Sequence, residues 1–395
     1  MNRPDIYVVA AARTAIGTFG GSLKDLPLAD LATVAVKAAL QRSGAPLDAV
    51  GHLAMGNVIP TEPRDAYLSR VAALQAGLSQ EVPAFNVNRL CGSGLQAIVS
   101  AAQALALGDC ELAVGAGAES MSRGPYLVPA MRWGARMGDA AMLDYMLQIL
   151  HDPLHKVHMG ITAENVAEAH GISREDMDRL AAESHRRAAA AITEGRFKDQ
   201  IVPVPVATRK GTVHFDTDEH VKPDTTVEVL AKMKPAFRKE GGTVTAGNAS
   251  GINDGAAAVV LASGGAVKAH GLKPLARLVT YAHAGVDPRL MGIGPVPATR
   301  QALARAGLKA ADLDVVESNE AFAAQACAVT KLLELDPAKV NPNGSGISLG
   351  HPVGATGALI TTKALYELQR IGGRYALVTM CIGGGQGIAA IFERA

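Results

Sequence analysis

No CxxC pair occurs among the four cysteines, Cys91, Cys110, Cys327 and Cys381, and their spacing does not match a secreted disulfide scaffold. That excludes a structural zinc site and a disulfide framework, and no metal is expected. Free thiols in a reducing compartment fit the pattern. Charge of one sign is missing as well. Against 37 Asp plus Glu stand 38 Lys plus Arg, a formal net charge of +1, so no global field draws the chain to nucleic acid or to a membrane. The apolar stretch from Ile6 to Ala12 is too short for a membrane span and is closed by Arg13, so it reads as an internal strand rather than a signal segment. The ending Phe392-Glu393-Arg394-Ala395 carries no peroxisomal or retention address, which leaves a cytoplasmic location as the expectation.

What is present is a long, well-buried α/β pattern with glycine-rich corners. The 395 residues are 48% hydrophobic and 19% charged, enough core for two or three domains. Three chemically active side chains sit in such corners: Cys91 in NRLCGSGLQA, His351 in NPNGSGISLGHPVGATGA, and Cys381 in MCIGGGQG. Corners between strand and helix are where α/β folds expose reactive groups. Cys91 precedes an apolar helix, where the aligned peptide dipoles favour a thiolate and the exposed N–H groups can form an oxyanion hole. Neutral His351 can accept the Cys91 proton or donate to a thioester oxygen. Cys381 closes a buried strand and reads equally as a core cysteine or a catalytic acid or base. Asn319, in SNEAFAAQ, reads as a helix cap or as a holder of a water or carbonyl.

The chain also repeats itself. Ala39-Leu40-Gln41-Arg42-Ser43-Gly44 matches Ala302-Leu303-Ala304-Arg305-Ala306-Gly307, and each copy leads into strand, Gly-rich turn, helix and strand. Tyr375 to Cys381 is apolar but for Thr379, as a strand covered on both faces should be. Between the halves, roughly residues 121 to 250, lies a segment with prolines, a polar helix and a basic tract, which reads as an insertion carried on the first half. The cluster Met131, Trp133, Met137, Met142, Leu143, Tyr145, Met146 and Leu147 within it is either buried in the insertion or an interface between subunits.

Cys91-Gly92-Ser93, Asn319-Glu320-Ala321-Phe322, Gly350-His351-Pro352 and Cys381-Ile382-Gly383 resemble the four signature loops of the thiolase family, in the family's order. The likeness spans nearly the whole chain, with GAESMS, HMGITAEN and GTVTAGNASGINDGAA as further matches, and is nearest to bacterial β-ketothiolases of the acetyl-CoA acetyltransferase type. It implies an α/β, duplicated thiolase fold, five-layered α-β-α-β-α, with an inserted loop domain: residues 1–120 and 251–273 as the N-terminal half, 121–250 as the insertion and 274–395 as the C-terminal half. It further implies a ping-pong interconversion of two short-chain acyl-CoA with 3-ketoacyl-CoA plus CoA, in short-chain acyl-CoA, polyhydroxyalkanoate or fatty acid metabolism. Cys91 would be the nucleophile, Cys381 the acid and base, and His351 the activator. Asn319 would hold a water, and the Cys91 and Gly383 amides would form an oxyanion hole. Coenzyme A, a substrate with no bound cofactor beside it, would lie along His158, Met159, Phe237, Ala246, Ser250, Ala321 and Phe322. Lys222 stands where many relatives carry an Arg near the adenine and phosphates. A homotetramer, a dimer of dimers, is implied as well. The alternatives are a broad-length degradative 3-ketoacyl-CoA thiolase, a decarboxylating ketosynthase, which would lack Cys381, and a non-catalytic acyl-CoA or lipid-binding protein of the same fold, which would lose a reactive side chain.

Overall fold

The structure, a computed structural model, describes residues 5–395. Its first half runs Ile6–Arg13 (β1), Leu28–Ser43 (α1), Val50–Gly56 (β2), Leu68–Gln75 (α2), Ala84–Val87 (β3), Ser93–Leu107 (α3) and Leu112–Ser120 (β4). The intervening segment contributes the helices Met159–His170 (α4) and Arg174–Thr193 (α5). Asn253–Ser263 (β5) then returns to the first half. The second half runs Ala276–Gly285 (β6), Pro295–Ala306 (α6), Val315–Ser318 (β7), Ala323–Leu332 (α7), Thr356–Arg370 (α8), Tyr375–Ile382 (β8) and Gln386–Arg394 (β9).

The apolar runs dictate where the strands lie. Every residue of β4 and β5 is buried, and β8 is buried from Ala376 onward, which requires a layer on each face. Strand order is β3-β2-β4-β5-β1 in one half and β7-β8-β9-β6 in the other. In both, the outer pairs are parallel and the inner pairs antiparallel, so the two halves repeat one topology. Strands β1 and β6 meet at Tyr7↔Arg277 and Val8↔Ala276, which joins the halves into one ten-stranded sheet that includes the short strand Gly17–Thr18.

Five layers result. Helices α1 and α2 cover the outer face of the first half, with Leu28, Leu31, Val36 and Leu68 packed on Val114 and Val260. Helices α6 and α7 cover the second, through Ala298, Ala302, Leu303 and Val329 on Leu377 and Ile391. Between the two halves of the sheet lie α3 and α8, whose Leu95, Ile98, Leu359 and Leu365 pack on Val259 and Val378. The stretch Leu90–Leu107 has the length and hydropathy of a membrane span, and its composition follows from this interior position. The sequence repeat marks equivalent helix ends: α1 stops at Gly44 and α6 at Gly307, both in the left-handed conformation.

Helices α3 and α8 approach each other start to start. A Cβ on Gly94 would fall 2.7 Å from Ala358 N, and one on Gly357 would fall 2.1 Å from Leu95 N. Only glycine permits that approach, and it brings the corner before α3 to the corner before α8. The intervening segment packs on the far side of these corners, where Ala163, Val166, Met177 and Leu230 meet Ala321, Phe322, Ile347 and Cys381. It is tied to β1 by backbone hydrogen bonds between Arg13 and Gln200 and Val202, and by a fully buried ion pair, Arg13 Nη1 to Asp218 Oδ1 at 2.8 Å and Nη2 to Oδ2 at 2.9 Å.

Candidate active site

The Cys91 corner is a tight turn with a left-handed non-glycine residue, Leu90, at φ 47°. Such a conformation costs about 1 kcal/mol or more, and local hydrogen bonds hold it. Asn88 Oδ1 accepts from Leu90 N at 3.0 Å, while Ser93 Oγ accepts from Arg89 N at 2.8 Å and donates to the Leu90 carbonyl at 2.6 Å. Helix α3 begins at Ser93, so Cys91 precedes its first turn. The expected thiolate-favouring shift is reversed here. Burial pushes the Cys91 thiol up to about 11, the Gly383 and Cys91 backbone N–H groups pull it down, and the Glu119 carboxylate pushes it up again. Desolvation outweighs the helix start, and the resting group is a thiol.

The His351 corner is built from its backbone outward. Gly350 has φ 108°, and a Cβ there would strike the Asn253 side chain at 2.4 Å, so this glycine is obligatory. Asn253 Oδ1 accepts from His351 N at 3.0 Å. On the ring, Nδ1 lies 2.6 Å from Thr356 Oγ1, which in turn donates to the Pro352 carbonyl at 2.9 Å. Burial lowers the imidazole to about 4, so it is neutral at neutral pH. The buried Glu119 carboxylate fastens the same loop: it accepts from Gly354 N at 2.7 Å, Asn57 Nδ2 at 2.7 Å, Val58 N at 3.1 Å and Ile59 N at 3.0 Å. Burial pushes this carboxyl up to about 8 against the pull of those backbone donors.

Cys381 ends β8, and both it and Asn319 are fully buried. Burial, reinforced by the neighbouring Cys91 sulfur, raises the Cys381 thiol far above its ordinary value. Asn319 Nδ2 stands 3.5 Å from each ring nitrogen of His351, and its Oδ1 is buried without a donor among the described residues. A buried amide oxygen of that kind is suited to a water or a substrate group.

These corners share one cavity of about 380 Å³, lined by Cys91, His351 and Gly383. His158, Met159, Phe237, Ala246, Ser250, Ala321 and Phe322 all line it. His158 stacks on Phe237 with ring centroids 4.6 Å apart, and its Nδ1 accepts from Gly160 N at 3.0 Å. Cys381 and Asn319 sit behind this wall rather than in it. Lys222 is exposed and outside the cavity, with its backbone N bonded to His185 Nδ1 at 3.1 Å. Of the apolar cluster in the intervening segment, Leu147 reaches the cavity and Met146 is buried, while Trp133 and Met137 stand 92% and 95% exposed. Sequence reasoning missed Leu90, Met121, Ile252 and Val353 in the wall and Glu119 and Thr356 behind it. Glu119 and Thr356 lie inside motifs already singled out, GAESMS and GHPVGAT, and that position was the available signal. A larger cleft, about 670 Å³, opens behind Ser318 and Glu320 but contains none of the three reactive corners.

Residues 6–265 match the thiolase N-terminal domain and residues 272–394 the thiolase C-terminal domain. The chain is 68% identical over 390 residues to beta-ketothiolase BktB of Cupriavidus necator, covering 99% of each chain. It is 50% identical over 392 residues to an acetyl-CoA acetyltransferase of Pseudomonas aeruginosa, again covering 99% of each. Human mitochondrial 3-ketoacyl-CoA thiolase superposes with a TM-score of 0.97 at 47% identity over 99% of both chains. The same human enzyme in complex with CoA gives 0.96 at 46%, over 99% of this chain and 98% of that one.

Proposed function

Because the chain belongs to the thiolase family, we propose that it interconverts two short-chain acyl-CoA molecules with a 3-ketoacyl-CoA and free CoA through an acyl-enzyme on Cys91. The observation that carries the reading is the convergence of Cys91, His351 and Gly383 on one cavity, with Cys381 buried beside the Cys91 sulfur. His351 takes the Cys91 proton as the sulfur attacks the thioester carbonyl; the bond from that carbonyl to the CoA sulfur then breaks, and CoA leaves as the thiol with the proton of Cys381. The Cys91 and Gly383 backbone N–H groups, which already act on the Cys91 sulfur, serve the acyl-enzyme's carbonyl oxygen. The Cys381 thiolate so formed removes an α-proton from the second acyl-CoA, and a water held at Asn319 Oδ1 joins His351 in stabilising the enolate. The enolate carbon attacks the acyl-enzyme carbonyl, the bond to the Cys91 sulfur breaks, and that sulfur regains its proton from His351. Run backwards, Cys381 protonates the departing enolate.

The pantetheine arm lies along His158, Phe237 and Phe322, with Lys222 outside the cavity as a point charge for the phosphates. Leu147, Ile149, Leu150 and Met291 bound the cavity with adaptable side chains that admit four- and five-carbon 3-ketoacyl-CoA and disfavour long chains. The exposed Trp133, Met137, Met131 and Met142 fit a contact between dimers in a cytoplasmic homotetramer, which light scattering would confirm by the mass of four chains. The central test is peptide mass mapping after incubation with acetyl-CoA. One acetyl group per chain on Cys91 is expected, and acetylation confined to Cys381 or Cys110 would overturn the assignment.

A further inference from the structure

We infer that Thr356 is a positioning residue for this reaction: it fixes the His351 ring as the Nδ1–H tautomer, so that Nε2 holds the lone pair that receives the Cys91 proton. The inference rests on the proposed role of His351. Thr356 Oγ1 touches two groups, His351 Nδ1 at 2.6 Å and the Pro352 carbonyl at 2.9 Å. A hydroxyl has one proton, and a carbonyl oxygen can only accept. Two oxygens 2.9 Å apart in a buried site are held by that proton, so the hydroxyl can meet Nδ1 only as an acceptor. Nδ1 must then carry hydrogen.

Among the described residues no other neighbour sets the tautomer. Asn319 Nδ2 is equidistant from both ring nitrogens at 3.5 Å, too far for a normal bond to either. The His351 backbone N is committed to Asn253. In the opposite tautomer Nε2 would present an N–H, and the ring's one lone pair would sit on Nδ1, against Thr356 rather than toward the thiol proton. With Thr356 in place, the S–H bond of Cys91 breaks as an Nε2–H bond forms, giving thiolate and imidazolium. The new Nε2–H can then donate to an acyl or enolate oxygen while Nδ1–H stays on the threonine. Thr356 occupies the first position of α8, two per cent exposed, where a valine has the same shape without the hydroxyl.

Neutron diffraction from deuterated wild-type crystals would show the tautomer directly, with deuterium expected on Nδ1 and none on Nε2. Thr356→Val should lower kcat on the order of 10- to 100-fold, the population cost of losing one buried hydrogen bond, with KM unchanged. Thr356→Ser, which keeps the hydroxyl, should restore kcat to within about threefold. Deuterium on Nε2 of the wild type overturns the proposal even if the valine variant fails to fold. So does a serine variant as slow as the valine one, which would mean that the methyl group matters and the hydroxyl does not. His351→Ala separates the underlying reading. If that variant acylates Cys91 at the wild-type rate, the role of His351 fails while the tautomer found by neutrons stands.

Discussion

Gly357→Ala tests whether the start-to-start approach of α3 and α8 is what assembles the site. The added Cβ would fall 2.1 Å from Leu95 N, 2.8 Å from Leu95 Cβ and 2.9 Å from the Gly94 carbonyl carbon. None of these atoms is the free end of a flexible side chain, so relief requires one helix start to move against the other. Reaching an ordinary contact of 3.4 Å takes a shift of roughly 1.3 Å. Overpacking of this kind costs about 1–3 kcal/mol, and backbone contact places it at the upper end. Cys91 lies just before α3 and His351 just before α8, so the shift falls on the gap between them. A misplacement of about 1 Å between reacting groups costs about 10²-fold in rate. The expected result is a stability loss of about 3 kcal/mol by urea unfolding. Acyl-enzyme formation from acetyl-CoA, followed by rapid quench and intact mass, should slow about 100-fold. Gly265→Ala is the control: its added Cβ would meet nothing nearer than 3.5 Å, so acylation should be unchanged and stability no lower. If Gly357→Ala acylated at the wild-type rate, the close helix approach would not be what aligns the two corners.

Three further outcomes follow from the electrostatics and the packing. With Cys91 raised to about 11 and His351 lowered to about 4, both groups are neutral between those values, so the thiolate fraction grows about tenfold per pH unit below the thiol pKa. Iodoacetamide alkylation of Cys91 in the resting enzyme should therefore climb steadily from about pH 7 to about pH 10. A plateau near neutrality would show that the helix start outweighs burial after all. Asp218→Ala leaves Arg13 charged and fully buried, which should cost about 3–5 kcal/mol in unfolding free energy, and an unchanged unfolding midpoint would refute that account. Cys381→Ala should still acylate Cys91 but lose exchange of the acetyl-CoA α-protons with deuterated solvent, as read by mass spectrometry; persistent exchange would make Cys381 a packing residue.

Much of this was legible in the chain. The matched hexapeptides ending at Gly44 and Gly307 mark the same helix end in each half, and the apolar run of β8, broken only by Thr379, announces its burial. Residue type and corner position sufficed to group Cys91 and His351, because both stand in glycine-rich turns that lead into apolar helices, and two such helices side by side bring their turns together. The seven proposed pantetheine positions all line the cavity, a correspondence the resemblance supplied and the spacing alone did not. The sequence points the Cys91 shift the wrong way because a helix start is visible in it while the surroundings that desolvate the thiol, brought together from distant segments, are not. Glu119 and Thr356 stayed hidden for a related reason. Their partners, Gly354 N and the His351 ring, are defined only once the backbone of the loop is in place.

Strand β1 has consequences for how the protein is made. Its partners run from Ile6↔Ser263 to Arg13↔Ala257, so it waits for residues about 250 positions later in the chain, and its second neighbour, β6, is later still. At a synthesis rate of about 5–20 residues per second, the nascent strand leaves the ribosome on the order of 10–50 s before either partner exists. Through that interval IYVVAAAR is an apolar strand with both edges open, the kind of segment that pairs with other chains. The second half has no such delay at its centre, because β8 and β9 are joined by a short hairpin with Ile382 opposite Gln386. Two halves that match in the finished molecule thus reach it on different clocks, and the slower one sets the time during which a newly made chain is open to aggregation.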